Sequence, residues 1–258
     1  MNQLYLYFSG TGNTKWAVHR FAEKYNSDSE KRIHSIEEVG IDFDTMIKNS
    51  DMVMIAYPIY GSMMPENMER FLKLHLESLA YKPIMVLTTQ MKFSGDGAGL
   101  ACYILNKANV KILATMHLNM PHNVVDMKIF RQHSDKEINR ILIKADKKIT
   151  SYINRIKQKR KVKTGRAFYS RILGLLTQRM FYRWFYQKMK KMVRIDDDRC
   201  IACGKCVESC PAHNLILTDG KISTKNDCYV CYRCINICPT KAIRIMGKSF
   251  PRQQYFKK

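Results

Sequence analysis

The sequence predicts an α/β domain with a five-stranded parallel sheet, a basic helical bridge and a small α+β domain rich in cysteine. Three features lead to this prediction. Short apolar runs alternate with helix-like periodicity up to about residue 156, sixteen Lys and Arg without one Asp or Glu lie within 147–195, and eight of the nine cysteines lie between Cys200 and Cys238. We place the domain boundaries at 1–160, 161–194 and 195–258.

The first domain begins with the apolar run LYLYF (4–8), and the turn SGTGNT (9–14) leads from it into a helix. Further strands are predicted at 32–36, 52–57, 84–89 and 110–116, and further helices at about 65–79, 97–107 and 135–156. Strands that alternate with helices form a parallel sheet covered on both faces, and ligands bind beyond the carboxyl ends of its strands. The loops 9–14, 57–65 and 88–99 are therefore the candidate binding loops.

The segment 147–195, which contains the basic bridge, accounts for most of the formal net charge of +22. Its aromatic run, 168–189, predicts one long helix or two joined helices. The charge is compatible with a solvated helix face, with packing of the aromatic stripe between the domains, or with attraction of acidic electron-transfer proteins or anionic lipid headgroups through 147–195. Nucleic acid ranks last, because no recognition module accompanies the charge.

The strongest motif is a repeat of CxxCxxCxxxCP in the last domain. Such spacing is typical of 4Fe-4S clusters, and the fourth cysteine of each run ligates the other cluster. Zinc needs four ligands rather than eight in this interleaved order. The repeat predicts two clusters, one bound by Cys200, Cys203, Cys206 and Cys238, and the other by Cys228, Cys231, Cys234 and Cys210. A domain this small has little apolar core, so the clusters should also stabilise it.

The turn SGTGNT predicts a phosphate site at the start of the following helix. Unpaired backbone N–H groups and the helix dipole favour an anion there. Ser9, Thr11 and Thr14 add hydroxyl donors, and Gly10 and Gly12 allow close approach of the backbone. No GxGxxG follows a strand, so the sequence predicts no nicotinamide-nucleotide site, and no hydrolytic triad stands out.

These motifs resemble known families. SGTGNT resembles the TxTGxT phosphate loop of flavodoxins, with Ser9 replacing the first Thr, and the loops 57–65 and 88–97 resemble the flavodoxin loops that enclose the flavin ring. The segment from VRIDDDRC to CPTKAIRI resembles bacterial two-cluster ferredoxins. The whole chain resembles a family of flavodoxin–ferredoxin fusion proteins found mostly in anaerobes.

The resemblance implies a flavodoxin-like, doubly wound first domain that binds FMN. It implies contacts to the cofactor from Ser9, Gly10, Thr11, Gly12, Asn13, Thr14, Pro58, Ile59, Tyr60, Gly61, Thr89, Gln90, Met91, Phe93, Ser94 and Gly95. Tyr60 would stack on the flavin ring. The alternative is that Tyr60 is only an aromatic residue at the rim of the domain. His122 is either a proton donor at the flavin edge or a solvated loop residue.

The implied function is electron transfer between 4Fe-4S clusters and FMN, linking one-electron and two-electron chemistry in anaerobic metabolism. The alternative is an FMN-dependent reductase of a small organic substrate that uses the clusters as its electron supply. The expected partner is an acidic ferredoxin or flavodoxin. A cytoplasmic location is expected, because the sequence contains no long apolar stretch and no secretory layout at its start.

Overall fold

The computed structural model describes residues 2–26, 29–92, 95–165, 168–247, 250–251 and 253–257. The chain forms two compact units. The sheet unit comprises 1–9, 13–121 and 135–180, and the cysteine unit comprises 10–12, 122–134 and 181–258. The division at 180/181 falls inside the predicted bridge, and the cysteine unit also takes a segment, 122–134, from the middle of the chain.

The sheet unit alternates strands and helices along the chain. Its strands are β1 (Gln3–Tyr7), β2 (Lys31–Ser35), β3 (Met52–Pro58), β4 (Pro83–Gln90), β5 (Lys111–Asn119) and β6 (Val162–Lys163). Its helices are α1 (Asn13–Tyr25), α2 (Phe43–Lys48), α3 (Glu66–Leu74), α4 (Leu76–Leu79), α5 (Gly97–Leu105), a 3-10 turn (Asn106–Ala108), α6 (Asp135–Lys157), α7 (Phe168–Gly174) and a π-helical stretch (Leu175–Arg179).

The six strands lie in the order β2-β1-β3-β4-β5-β6, and every neighbouring pair is parallel. The order reverses between β1 and β3, which is where doubly wound sheets bind their ligands. In β3 all seven residues are buried, because helices cover both faces of a parallel sheet. The continuous apolar run 52–57 in the sequence reflects this double burial.

Helices α1 and α6 pack together on one face of the sheet. Phe21 of α1 and Ile149 of α6 are fully buried in a cluster that includes alternate residues of β3, such as Met54. At the rim of this layer, Arg20 and Lys24 both form ion pairs with Asp146, at 3.0 and 2.7 Å. The apolar periodicity of α1 and α6 thus determines which side of each helix packs against the sheet.

The cysteine unit contains short elements only. These are α8 (Met180–Met189, whose first residue belongs to the sheet unit), β7 (Arg194–Ile195), α9 (Lys205–Glu208), β8 (Leu215–Thr218), β9 (Lys221–Thr224), α10 (Arg233–Ile237) and β10 (Ile243–Arg244). Strands β8 and β9 form a hairpin across Asp219-Gly220, and β7 pairs antiparallel with β10. The segment 122–134 is tied in by Asp126, whose carboxylate accepts the N–H groups of residues 245–247 at 2.6 to 2.9 Å.

The predicted fold class is confirmed, with corrections in detail. The parallel sheet has six strands rather than five, because Val162 and Lys163 extend it beside β5. The helix predicted at 65–79 is two helices, α3 and α4, separated at His75. Helix α2 was not predicted. No helix within the described residues is both long and apolar enough to span a bilayer.

Candidate functional site

Eight cysteines of the cysteine unit line two separate cavities. Cys200, Cys203, Cys206 and Cys238 line one, and Cys210, Cys228, Cys231 and Cys234 line the other. Each cavity thus takes three cysteines from one copy of the repeat and the fourth from the other copy. The structure brings together the same two groups of four that the spacing predicts, and no disulfide joins any of them in the described chain.

The backbone around the cysteines repeats with an interval of 28 residues. Positive φ angles occur at Ala202 and Val230, and again at Gly204 and Tyr232, at matching positions of the two copies. Short helices follow in both copies, α9 and α10. Tyr232 adopts in the second copy the left-handed conformation that glycine provides in the first, although a side chain disfavours it. A strained backbone conformation of this kind persists only where the surrounding structure enforces it.

Backbone N–H groups point at sulfur in both copies. The amides of Asn214 and Ala242 donate to Cys210 Sγ and Cys238 Sγ, each at 3.3 Å, and Val230 N–H donates to Cys228 Sγ at 3.2 Å. Hydrogen bonds of this type stabilise negative charge on sulfur and are one of the factors that set cluster potentials.

Burial makes the thiols of Cys206 and Cys228 poor acids in the absence of a cation. Burial, followed by the nearby Cys238 and Cys200, raises the pKa of Cys206 to about 11. Burial, followed by Cys231, raises the pKa of Cys228 to about 12. Iron binds thiolates, so its positive charge would stabilise the deprotonated sulfurs in these cavities. The donor set, four sulfurs around each cavity, fits iron–sulfur clusters.

The loop 9–14 follows β1 at the carboxyl edge of the sheet. Within the sheet unit, Thr14 Oγ1 and Thr89 Oγ1 share a buried hydrogen bond of 2.8 Å, and the Asn13 amide donates to the carbonyl of Pro121 at 2.8 Å. Ser9 is buried in the same unit. These contacts hold the start of α1 against the end of β4.

Residues 10–12 cluster with the cysteine unit. Gly12 has a φ of 91°, and a Cβ there would lie 1.7 Å from the carbonyl oxygen of Lys257. The Thr11 carbonyl accepts the Lys257 N–H at 2.8 Å, whereas its buried hydroxyl has no hydrogen-bond partner among the described residues. That hydroxyl is the kind of unpaired polar group that a bound ligand would satisfy.

The two predicted ring loops approach each other in the sheet unit. The N–H of Ile59 donates to the carbonyl of Thr89 at 2.8 Å, and Tyr60 and Met63 exchange backbone hydrogen bonds across a tight turn. Gly61 of this turn has a φ of 52°. A Cβ on Gly95 would lie 2.5 Å from Ser62 Oγ, so glycine is needed at that crossing. Pro58 ends β3, Met91 is exposed, and Phe93 and Ser94 lie outside the described residues.

Gln90 ends β4 beside His117 of β5. Its side-chain nitrogen lies 3.5 Å from His117 Nδ1, and its buried Oε1 has no hydrogen-bond partner in the part of the chain that the structure describes. Burial, helped by Lys148, lowers the pKa of His117 to about 4. His117 is therefore neutral near pH 7, and Gln90 offers an acceptor to a ligand at this edge. The orphan acceptor on Gln90 fits a polar cofactor such as FMN.

Sequence reasoning missed one functional contact, which involves Arg179. Its guanidinium donates to the carbonyls of Ser62 and Gly95 at 3.1 and 2.9 Å and pairs with Asp96 at 2.5 Å. Gln178 accepts the Ser62 hydroxyl at 2.6 Å. One side chain thus holds both predicted ring loops. No sequence signal separates Arg179 from the other fifteen bases of the segment 147–195.

His122, the other candidate at the flavin edge, lies in the cysteine unit. Its Nε2 is 2.9 Å from the carbonyl of Arg131, and its ring contacts those of Phe130 and His133. These contacts occupy Nε2 and the ring faces, whereas the buried Nδ1 has no hydrogen-bond partner among the described residues.

Family comparisons agree with both halves of this description. A flavodoxin domain model matches residues 4–125, and a 4Fe-4S dicluster domain model matches residues 193–245. The chain therefore joins a flavodoxin domain to a 4Fe-4S dicluster domain, as in flavodoxin–ferredoxin fusion proteins. Together the two domains suggest an electron-transfer flavoprotein, and they imply FMN and iron–sulfur clusters as cofactors.

Solved structures were also compared. A flavodoxin from the domain Archaea is 14% identical over 61% of this chain and 99% of its own, with a TM-score of 0.42. The two-electron reduced flavodoxin of Megasphaera elsdenii is 17% identical over 56% of this chain and 98% of its own, with a TM-score of 0.40. Rubredoxin oxygen:oxidoreductase of Desulfovibrio gigas is 11% identical over 61% of this chain and 36% of its own, with a TM-score of 0.41. No curated protein matches.

Proposed function

We propose that this protein carries electrons between two 4Fe-4S clusters and one FMN, linking one-electron and two-electron reactions in the cytoplasm of an anaerobe. The observation that supports this most strongly is the division of eight cysteines into two groups of four, each around its own cavity, in a chain that also contains a flavodoxin domain. A reducing compartment suits eight cysteines without a disulfide.

In this proposal the cysteine unit binds the clusters through crossed ligand sets. Cys200, Cys203 and Cys206 share one cluster with Cys238, and Cys228, Cys231 and Cys234 share the other with Cys210. The N–H groups of Asn214, Val230 and Ala242 are already directed at ligand sulfurs. They would stabilise the charge on those sulfurs without any rearrangement.

FMN would bind at the carboxyl edge of the sheet, beside the start of α1 and the two ring loops. Bound FMN exchanges one or two electrons, whereas a 4Fe-4S cluster exchanges one. The hydroxyls of Ser9 and Thr14 would donate to the phosphate, and Gln90 Oε1 would accept from the ring. Arg179 would hold the loops around Ser62 and Gly95 in place, and neutral His117 would leave no positive charge beside Gln90.

We propose an acidic ferredoxin or flavodoxin as the partner protein. The sixteen bases within 147–195 meet no acidic residue in that segment. A field of one sign increases the rate of encounter with a partner of opposite charge. The rate of electron exchange should therefore fall as ionic strength rises.

The test is anaerobic purification with quantification of FMN and iron, followed by stopped-flow oxidation of the reduced protein. We expect about one FMN and about eight irons per chain, and rapid oxidation by an acidic ferredoxin or flavodoxin. Steady turnover of small organic acceptors without a protein partner would contradict the carrier proposal in favour of a reductase. Iron without flavin would contradict the FMN assignment.

Thr14→Val tests the phosphate loop. The substitution keeps the shape of the side chain but removes the hydroxyl that pairs with Thr89. FMN affinity should fall at least about tenfold, as expected when a buried hydrogen-bonding group is lost, while iron content stays unchanged. The control is Thr150→Val on α6, where the hydroxyl is bonded to the Asp146 carbonyl at the surface; its FMN affinity should equal that of the wild type. Equal affinity in Thr14→Val would exclude this loop as the phosphate site.

A further inference from the structure

The helical segment 168–180 at the end of the sheet unit is here called the clasp helix. Its polar side chains face inward and its apolar side chains face outward. Its inner side carries Gly174, Gln178 and Arg179. Gly174 packs on Gly95, with a would-be Cβ 2.6 Å from the Gly95 Cα, and Gln178 and Arg179 bond to Ser62, Gly95 and Asp96. A surface helix normally buries its apolar side chains and exposes its polar ones.

The outer face of the clasp helix is apolar and exposed. It consists of Tyr169, Ile172, Leu173, Leu176 and Met180, whose exposed fractions are 77%, 42%, 50%, 66% and 60%. These five side chains are exposed, whereas Gly174, Gln178 and Arg179 contact Ser62 and Gly95, so the two groups lie on opposite sides of the segment. Contiguous exposed apolar side chains of this kind mark an interaction surface.

The chain that carries this face is rich in bases. The segment 147–195 contains sixteen Lys and Arg and no acid, and Arg171 of the clasp helix is exposed. The cysteine unit shows the same combination by itself: Phe181 and Trp184 are 63% and 65% exposed, and Lys188 Nζ lies 4.4 Å from the centre of the Trp184 ring. Each unit therefore exposes apolar side chains among bases.

We propose that the outer face of the clasp helix inserts into the surface of an anionic lipid bilayer. A helix with aromatic and aliphatic side chains on one face, surrounded by Lys and Arg, lies in the plane of a membrane interface. The apolar side chains enter the acyl boundary while the cations remain at the headgroups, each cation contributing through the negative surface potential.

Two facts favour lipid over an acidic protein as the occupant. Attraction of an acidic protein requires only the positive charge. It would leave the five exposed apolar side chains unexplained. Encounters between redox proteins are also small and transient, whereas these side chains gain most from a continuous apolar phase. Membrane binding is independent of whether the carrier function holds.

The experiment measures co-sedimentation of the purified holoprotein with sucrose-loaded vesicles. One set contains phosphatidylcholine alone, and the other adds about 30% phosphatidylglycerol. We expect the partition coefficient to be at least about tenfold higher on the anionic vesicles, and to fall at least about tenfold between about 0.05 and about 0.5 M NaCl. The double variant Leu173→Ser, Leu176→Ser should lose at least about tenfold of the partition on anionic vesicles.

The matched control is Val39→Ser, Leu74→Ser, which removes two side chains that are 95% and 75% exposed elsewhere in the sheet unit. It should bind vesicles like the wild type. FMN and iron contents of both double variants must match the wild type, so that a change in binding is not a change in folding.

Three outcomes would overturn the proposal. The first is no binding to anionic vesicles at low salt. The second is binding that the Leu173 and Leu176 substitutions leave unchanged, which would mean adsorption through charge alone. The third is an absence of vesicle binding together with binding of an acidic ferredoxin that these two substitutions abolish, which would assign the face to a protein partner.

Discussion

The two units of this chain are stabilised in different ways. In the sheet unit, β1 to β5, of five to nine residues each, and helices of up to 23 residues surround buried side chains such as Phe21, Met54 and Ile149. The cysteine unit has strands of two and four residues. Its buried cluster includes Cys206, Cys228, Cys234 and Cys238. One unit therefore has a core without candidate cofactor ligands, whereas in the other the candidate ligands are part of the core.

This difference explains which sequence signals are informative. Burial of both sheet faces requires apolar runs and helical periodicity, so the fold of the sheet unit can be predicted from pattern. Ligation of a cluster requires a fixed spacing of cysteines and little else, so the cysteine unit is predicted from a motif. The same difference predicts that the two units respond separately to loss of iron, to core substitutions and to pH.

Removal of iron should have the largest effect. Without iron the buried thiols leave two unfilled cavities, and the short elements around them lose their cross-links. We expect the cysteine unit to lose protection of its amides completely, while the amides of β3 and β4 stay protected. Hydrogen exchange read by mass spectrometry, before and after anaerobic chelation, measures both units in one sample. Continued protection of 215–245 would show that the unit has an adequate core without metal.

Paired cysteine substitutions test the crossed ligand sets. Cys210→Ala with Cys228→Ala should remove one cluster, so iron falls from about eight to about four atoms per chain. Cys210→Ala with Cys203→Ala should remove both, because the two residues line different cavities.

The control for these pairs is Cys102→Ala, which lies buried in the sheet unit and should leave the iron content unchanged. If the first pair lost both clusters and the second lost one, the ligand sets would follow sequence order and the crossing would be wrong.

Most of the sheet unit was predictable because its strands are continuous apolar runs. The exceptions have physical causes. Strand β6 is two residues long within a basic run, so only its pairing with β5 defines it. Helix α2 buries just Phe43 and Ile47, which is too little to produce a periodic pattern. Asp42, which accepts the N–H of Thr45 as an N-cap, was the available signal.

Some contacts of the candidate sites can be predicted from the sequence, and others cannot. The cysteine groups follow from spacing, and the approach of Thr14 to Thr89 follows from the order of the parallel strands. The contacts of Arg179 do not follow from any local pattern, because a π-helical stretch has no periodic signature and its partners lie 83 or more positions earlier in the chain. Long-range contacts of a single side chain are visible only in the folded chain.

A core substitution should separate the units by stability. Ile149→Ala removes a fully buried side chain between α6 and the sheet and should cost about 2 to 5 kcal/mol of the free energy of unfolding of the sheet unit. Ile143→Ala, on the same helix but 49% exposed, should cost less than about 1 kcal/mol. Urea unfolding followed by Trp16 fluorescence, in a Trp184→Phe background, measures the sheet unit. Equal losses in both variants would contradict the assigned core.

The smallest expected effect is the pH dependence caused by His117. Burial lowers its pKa to about 4 in the folded chain, whereas in the unfolded chain it is about 6.5. The unfolded chain therefore binds the proton first as pH falls, so stability that is complete above about pH 6.5 is lost progressively down to about pH 4. Between about pH 7.5 and about pH 5 the wild type should lose about 1 to 2 kcal/mol more than His117→Asn. His213→Asn, in the cysteine unit, should follow the wild type when Trp16 reports the transition. If His117→Asn and the wild type lose stability in parallel, His117 is not kept neutral by the fold, and the argument that no positive charge lies beside Gln90 fails with it.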